Sequence, residues 1–180
     1  MADTLFTFPN LTKTLTDYAV AVRNLYQDNL IKSDHLASGR LLNSVEYVTD
    51  FGDNEFVVSL RLEDYWKYLE NGTPPHFPPV DAILSWIRVK PVLPKPYYKK
   101  WKWTTVDGAT HENGKWVLPT PVEQAWMTAK KIEREGTEGT KDLELTLETV
   151  NSEYEKRIMD ALNSDLSNII DATLWMLITT

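Results

Sequence analysis

The chain has 180 residues, a mass of 20.7 kDa and a formal net charge of −7, which suits one domain that buries roughly 70% of its unfolded surface. The acidic balance argues against a free-standing DNA-binding protein, which needs a basic face to displace counterions, but not against a protein past which DNA must slide. With no cysteine, disulfides, thiolate nucleophiles and cysteine zinc sites are excluded, and seven tryptophans suit either a large core or surfaces that meet other chains.

The opening MADTLFTF has neither a basic region nor a long apolar run, so no secretory signal is expected. No stretch approaches the ~18 apolar residues of a membrane span. From about Leu11 to Lys32, Leu11, Leu15, Tyr18, Val22, Leu25 and Leu30 recur at helical spacing, with Lys13, Asp17, Arg23 and Asp28 on the other side. That predicts an amphipathic helix, which the turn residues of SDHLASGRLLNS end. Val45, Tyr47 and Thr49 then alternate with Glu46, Val48 and Asp50, and Phe56–Leu62 is β-branched and apolar around FGDNE. Two strands joined by a hairpin turn are expected.

Tyr65–Glu70 reads as either a strand or a short helix that Gly72 breaks. Pro78 and Pro79 stand where a helix bearing Ala82, Ile83, Trp86, Ile87 and Lys90 begins, and Pro91 stops it. An alternating strand over about Tyr98–Thr105, two turn signals (Asp107-Gly108 and Asn113-Gly114) and a return over Lys115–Leu118 predict a projecting hairpin. Thr120-Pro121-Val122-Glu123 is a capping box for a helix with Val122, Ala125, Trp126, Ala129 and Ile132 on one face, ending at Gly136. GTEGTKD reads as a short flexible link. A last helical region starts near Asp142, its second part opened by a box at Ser152 and Glu155.

Chemistry is sparse. His35, His76 and His111 lie far apart with no metal-ligand spacing, and no nucleophile elbow, P-loop or dinucleotide fingerprint occurs. Acidic pairs such as Glu133 and Glu135 sit on solvated helix faces, where carboxylates do no general acid work. KPYYKKWKW, Lys95–Trp103, interleaves cations and aromatics as single-strand binders do. Period-two alternation favours an amphipathic strand instead, with Tyr98, Lys100 and Lys102 on one face and Lys99, Trp101 and Trp103 on the other.

Ordered pieces along the chain carry a resemblance. Gly39-Arg40-Leu41-Leu42-Asn43-Ser44 follows the first helix, and Tyr65-Trp66-Lys67-Tyr68-Leu69-Glu70-Asn71-Gly72-Thr73 follows the strands. Pro78-Pro79, the Trp86 helix, Ala129–Thr137 and a long final helix complete the order. Over about Ser33–Ser167 this resembles the neck or tail-completion proteins of tailed bacteriophages. Two departures bear on partner identity: Asp142-Leu143-Glu144-Leu145 replaces the family's aromatic-proline step, and the hairpin is longer.

The resemblance implies a non-enzymatic structural virion protein in the head–tail connector, made in the host cytoplasm. It would form a six- or twelve-fold ring, twelve by analogy with portals, between a portal or adaptor ring and tail proteins. DNA would pass its lumen without specific binding, and no membrane is involved. Like charge would keep phosphates from sticking to an acidic conduit. The expected fold is α+β: a small antiparallel sheet packed with N- and C-terminal helices, plus the projecting hairpin. Residues 1–180 form a single connector-type domain, with about 90–120 a hairpin insertion and about 142–178 a C-terminal helical region.

Interface or structural candidates are Tyr65, Trp66, Tyr68, Glu70, Gly72, Thr73, Trp86, Lys99, Trp101, Trp103 and Trp126. No catalytic residue, cofactor or metal is expected. The rival reading is a nucleic-acid-binding module using residues 95–103. A hydrolase with a dispersed site is disfavoured by the missing motifs.

Overall fold

A computed structural model describes residues 7–33, 38–52, 55–90 and 93–178. In chain order the elements are α1 (Pro9–Lys32), α2 (Arg40–Ser44), β1 (Glu46–Phe51), β2 (Phe56–Arg61), α3 (Trp66–Asn71), β3 (Gly72–Thr73), α4 (Val80–Val89), β4 (Tyr97–Thr104), β5 (Thr110–Val117), α5 (Pro121–Glu135), β6 (Thr137–Glu138) and α6 (Asp142–Ile178). The fold is α+β, and all its strand pairs are antiparallel: β1 with β2, β3 with β6, β4 with β5. The chain forms two compact units, Met1–Asn71 with Gly139–Thr180, and Gly72–Glu138.

The first, the helical unit, is built on α1 and α6, which run antiparallel. Ser33, just past α1, donates a 3.0 Å hydrogen bond to Asp142 at the start of α6. At the other end Asp165 meets Asn10 and Leu11. A helix rises about 1.5 Å per residue, so the 37-residue α6 is roughly 55 Å long and the 24-residue α1 roughly 36 Å. The difference leaves Leu166–Ile178 running on past the start of α1, with Leu166, Ile170, Leu174, Leu177 and Ile178 exposed. Tyr26, Leu30, Leu41 and Val45 form one core cluster, with Leu60, Trp66, Leu69 and Leu143 packed against it. Val22, Val150 and Tyr154 form another between the two long helices.

α1 has no cap of its own: Phe8 stands at the N-cap, and no acidic residue occurs in its first turn. Asp165 supplies one from α6. Its carboxylate accepts from the Leu11 N–H (2.9 Å), the Asn10 N–H (3.3 Å) and the Asn10 side-chain amide (2.7 Å). A negative charge there satisfies orphan donors and lies at the positive end of the helix dipole. Glu70 does the same for α6. Buried at the end of α3, it accepts from the N–H groups of Leu143 and Glu144, both at 2.9 Å. Burial raises the pKa of the Tyr26 phenol nearby, and the carboxylates of Glu70 and Asp142 add to the effect.

Four sequence expectations are corrected. SDHLASGRLLNS holds the one-and-a-half-turn α2, opened by Gly39 at φ 70°. α6 is continuous, so Ser152 caps nothing; its hydroxyl donates to the Thr149 carbonyl one turn back. Asn113-Gly114 is not a turn but lies inside β5, opposite Trp101 and Lys100. The Tyr98 ring covers Gly114 so closely that an added Cβ would meet Cε1 at 2.6 Å. The reversal is made by Asp107-Gly108 alone, Gly108 at φ 85° and the Thr105 hydroxyl bonded to the Asp107 carboxylate. Finally, GTEGTKD is no loose link. Thr137-Glu138 is a strand, and the Thr140 N–H donates to the Leu69 carbonyl at 2.9 Å. A side chain at Gly136 would strike the Thr73 carbonyl, and one at Gly139 the Glu70 carbonyl.

The second, the ribbon unit, has a small core where α4 lies on α5. Ile83 and Ile87 pack on Ala125 and Ala129, whose small side chains admit close approach, with Val80, Leu84 and Ile132 around them. The predicted capping box opens α5: the Thr120 hydroxyl accepts from the Glu123 N–H, and the Glu123 carboxylate from the Thr120 N–H. Among the described residues no helix is long and apolar enough to cross a membrane.

Candidate interaction surfaces

The eleven candidates fall into three groups with different roles. Trp66 and Glu70 belong to the scaffold of the helical unit: Trp66 is half-buried against its core and Glu70 is the buried cap of α6. Tyr65, just before α3, and Tyr68 within it have 42% and 65% of their surface exposed. Within α3 the register places Trp66, Leu69 and Glu70 on one side and Tyr68 off it.

Gly72 and Thr73 form a joint in the ribbon unit. β3 pairs with β6 through Gly72↔Glu138 and Thr73↔Thr137, and the Thr73 and Thr137 hydroxyls are 2.9 Å apart. Gly72 and Gly136 both take left-handed φ, 71° and 73°, a conformation a Cβ would strain. Two Gly-Thr steps 64 residues apart thus meet in one short ladder.

The remaining candidates lie on exposed surface of the ribbon unit. Trp86 on α4 rims a groove of about 690 Å³ between α4 and α5, whose walls include Ile83, Thr128, Lys131, Ile132 and Glu135. Trp126 on α5 is tilted against Phe77 with ring centroids 5.7 Å apart, and the Lys130 ammonium lies 5.3 Å from the Phe77 centroid. Lys99, Trp101 and Trp103 share one face of the β4–β5 ribbon with His111 and Lys115, and Trp103 stacks on His111. Tyr98, Lys100 and Lys102 take the opposite face with Glu112 and Trp116.

Tyr98 and Trp116 were not singled out by sequence reasoning, yet they form an edge-to-face pair at 5.7 Å and are 47% and 70% exposed. Correct strand register would have found Trp116, and the Asn113-Gly114 turn signal hid it.

Electrostatically the ribbon is laced. Glu112 lies 3.1 Å from Lys102 and 3.5 Å from Lys100. Glu123 accepts from Lys99 and from the Tyr97 hydroxyl, both at 3.1 Å. The Thr120 N–H, then Lys99, the Thr120 hydroxyl and Tyr97 hold the Glu123 carboxyl down at about 2, while the same contact raises Lys99. Lys99 stands directly opposite Lys115, a like-charge pair that destabilises a ladder unless something offsets it.

Charge is divided unevenly between the units. Residues 72–138 hold ten Lys and Arg against seven Asp and Glu, a net +3, and the rest of the chain holds nine against nineteen, a net −10. Five of the seven tryptophans also fall in 72–138, and all five are more than 40% exposed.

Among the described residues no cluster of His, Asp and Glu could hold a metal ion. His76 Nδ1 lies 2.9 Å from the Pro74 carbonyl, and His35 lies outside the described residues. No protein-family model matches the chain, and neither a curated protein nor a solved structure matches it.

Proposed function

We propose that this protein is a structural subunit of a tailed-phage neck: a ring between the portal or its adaptor and the tail, completing the DNA conduit without catalysis. The observation that carries the reading is the Gly-Thr joint. In the resemblance, Gly72-Thr73 and Gly136-Thr137 are separate steps of a motif order, and here their threonines pair with each other. A motif whose distant parts meet in a backbone ladder is one that shapes a scaffold. The large exposed aromatics of the chain would supply faces for neighbours, since Trp and Tyr anchor protein interfaces.

On this reading each subunit offers two complementary faces, and the contact repeats until the rotation closes. The subunits assemble in the host cytoplasm and reside in the virion. Mass photometry and electron microscopy of the purified chain, alone and with a portal ring, test it. The expected result is closed rings of one mass, six- or twelve-fold. Monomers alone under every condition would sink it.

The alternative is a nucleic-acid-binding module built on residues 95–103, favoured by lysines among exposed aromatics. Glu112 and Glu123 weaken it, because they lie against three of those lysines. A salt-dependent shift of labelled DNA or RNA that Lys99→Glu with Lys100→Glu abolishes would favour it.

A further inference from the structure

We infer that the chain associates with copies of itself head to tail, the cationic aromatic ribbon of one copy docking on the acidic outer side of α6 in the next. The inference rests on the ring reading for the head-to-tail arrangement and its closure. The contact itself is argued from charge and exposure.

The donor face is the side of the ribbon that carries Lys99, Trp101, Trp103 and Lys115. Trp101 and Trp103 are 41% and 44% exposed there. Lys99 is opposite Lys115, and its ion pair is with Glu123. Among the described residues no carboxylate answers Lys115. A ribbon face that sets Lys115 opposite Lys99, with exposed Trp101 and Trp103 beside them, is suited to meet an anionic surface.

The acceptor face is on α6. Leu145, Glu148, Ser152, Glu155, Met159 and Leu166 recur at three-, four- and seven-residue steps, so they share one side of the helix. All six are exposed. Thr146, Val150, Tyr154 and Asp165, on the other side, are buried. The exposed side therefore combines apolar groups with the carboxylates of Glu148 and Glu155, beside one cation, Lys156, and the ribbon face combines aromatic with basic groups.

The occupant is a second copy because the chain holds both signs. A net +3 region and a net −10 region in one sequence repel like regions and attract unlike ones. Unlike regions attract both head to tail and reciprocally about a two-fold axis, and the ring reading is what favours the first.

A charge swap tests this in the full chain. One variant carries Lys115→Glu, which places a carboxylate opposite Lys99 and so does not break the ribbon. The other carries Glu148→Lys with Glu155→Lys. Sedimentation and mass photometry should show the unaltered chain associating at low salt and at least about tenfold more weakly near ~0.5 M salt, where the Debye length is only a few ångströms. Each variant alone should lose association, and an equimolar mixture should regain it, since the reversed faces match.

Variants that associate like the unaltered chain, or a mixture of two folded variants that stays apart, would overturn the proposal. Should a variant misfold, the salt series decides: association that salt leaves unchanged or strengthens overturns it. A monomer that shifts labelled DNA, with the shift lost in the lysine variant, makes the ribbon a nucleic-acid surface and also overturns it. Rings that persist in both variants leave the neck reading standing without this contact. Open chains that obey the swap but never close support the contact and count against the ring.

Discussion

The helical unit hides its aromatic and polar specificity, whereas the ribbon unit displays it. In the first, Tyr26, Tyr154, Glu70, Asp142, Thr146 and Asp165 are all buried, and two of the carboxylates cap helices from afar. In the second, the core is four small or medium aliphatic residues, and five tryptophans face outward. Burial, not composition, separates a structural side chain from one available to a partner. The contrast places the buried helix caps in the helical unit and most of the exposed tryptophans in the ribbon unit.

The sharpest way to break this contrast is Asp165→Ala. It leaves two backbone donors at the start of α1 without a partner, and should cost about 3 kcal/mol in urea unfolding, since hydrogen bonds to buried charges are the strong ones. Asp165→Asn, which keeps one acceptor, should recover part of that. A loss no larger than a surface substitution would show that α1 needs no cap from α6. Next comes Glu70→Ala, expected to cost about 2 kcal/mol by the same measurement, because it uncaps α6 at Leu143 and Glu144. Hydrogen exchange at those two amides should rise first.

The third test is pH. The Glu123 carboxyl is depressed from 4.5 to about 2, so its support for the start of α5 is present above 4.5 and is lost as pH falls through about 2. Its side-chain carbon shift should titrate near 2, and Lys99→Met should move the midpoint upward; a midpoint near 4.5 without that substitution would show the link to the ribbon is not made in solution. The smallest effect on stability is expected from Trp101→Ala with Trp116→Ala, about 1 kcal/mol by thermal unfolding, chiefly from loss of the Tyr98–Trp116 ring contact. A large loss of stability there would erase the division of labour between the units.

Much of this was legible in the sequence because it is local. The β1–β2 hairpin follows from alternation around FGDNE, α5 from Thr120-Pro121-Val122-Glu123, and the two faces of β4 from a period of two. Asn113-Gly114 misled because a strong turn dipeptide was outcompeted: Tyr98 lies over Gly114 and repairs the strand where glycine is weakest. GTEGTKD misled because glycine signals either freedom or close approach, and only the backbone of Thr73 and Glu70 against Gly136 and Gly139 decides which.

What the amino-acid order determined by itself is every element whose stabilising partners lie within a few turns or one hairpin: periodicity, capping box, tight turn. What the tertiary structure alone decided is which donors and acceptors meet across long separations. Asp165 reaches Leu11 across 154 residues, Glu70 reaches Leu143 across 73, and Thr73 meets Thr137 across 64. The physical reason is that an uncapped helix end or a bare glycine specifies only a need. Many side chains could meet it, and packing selects the one that does.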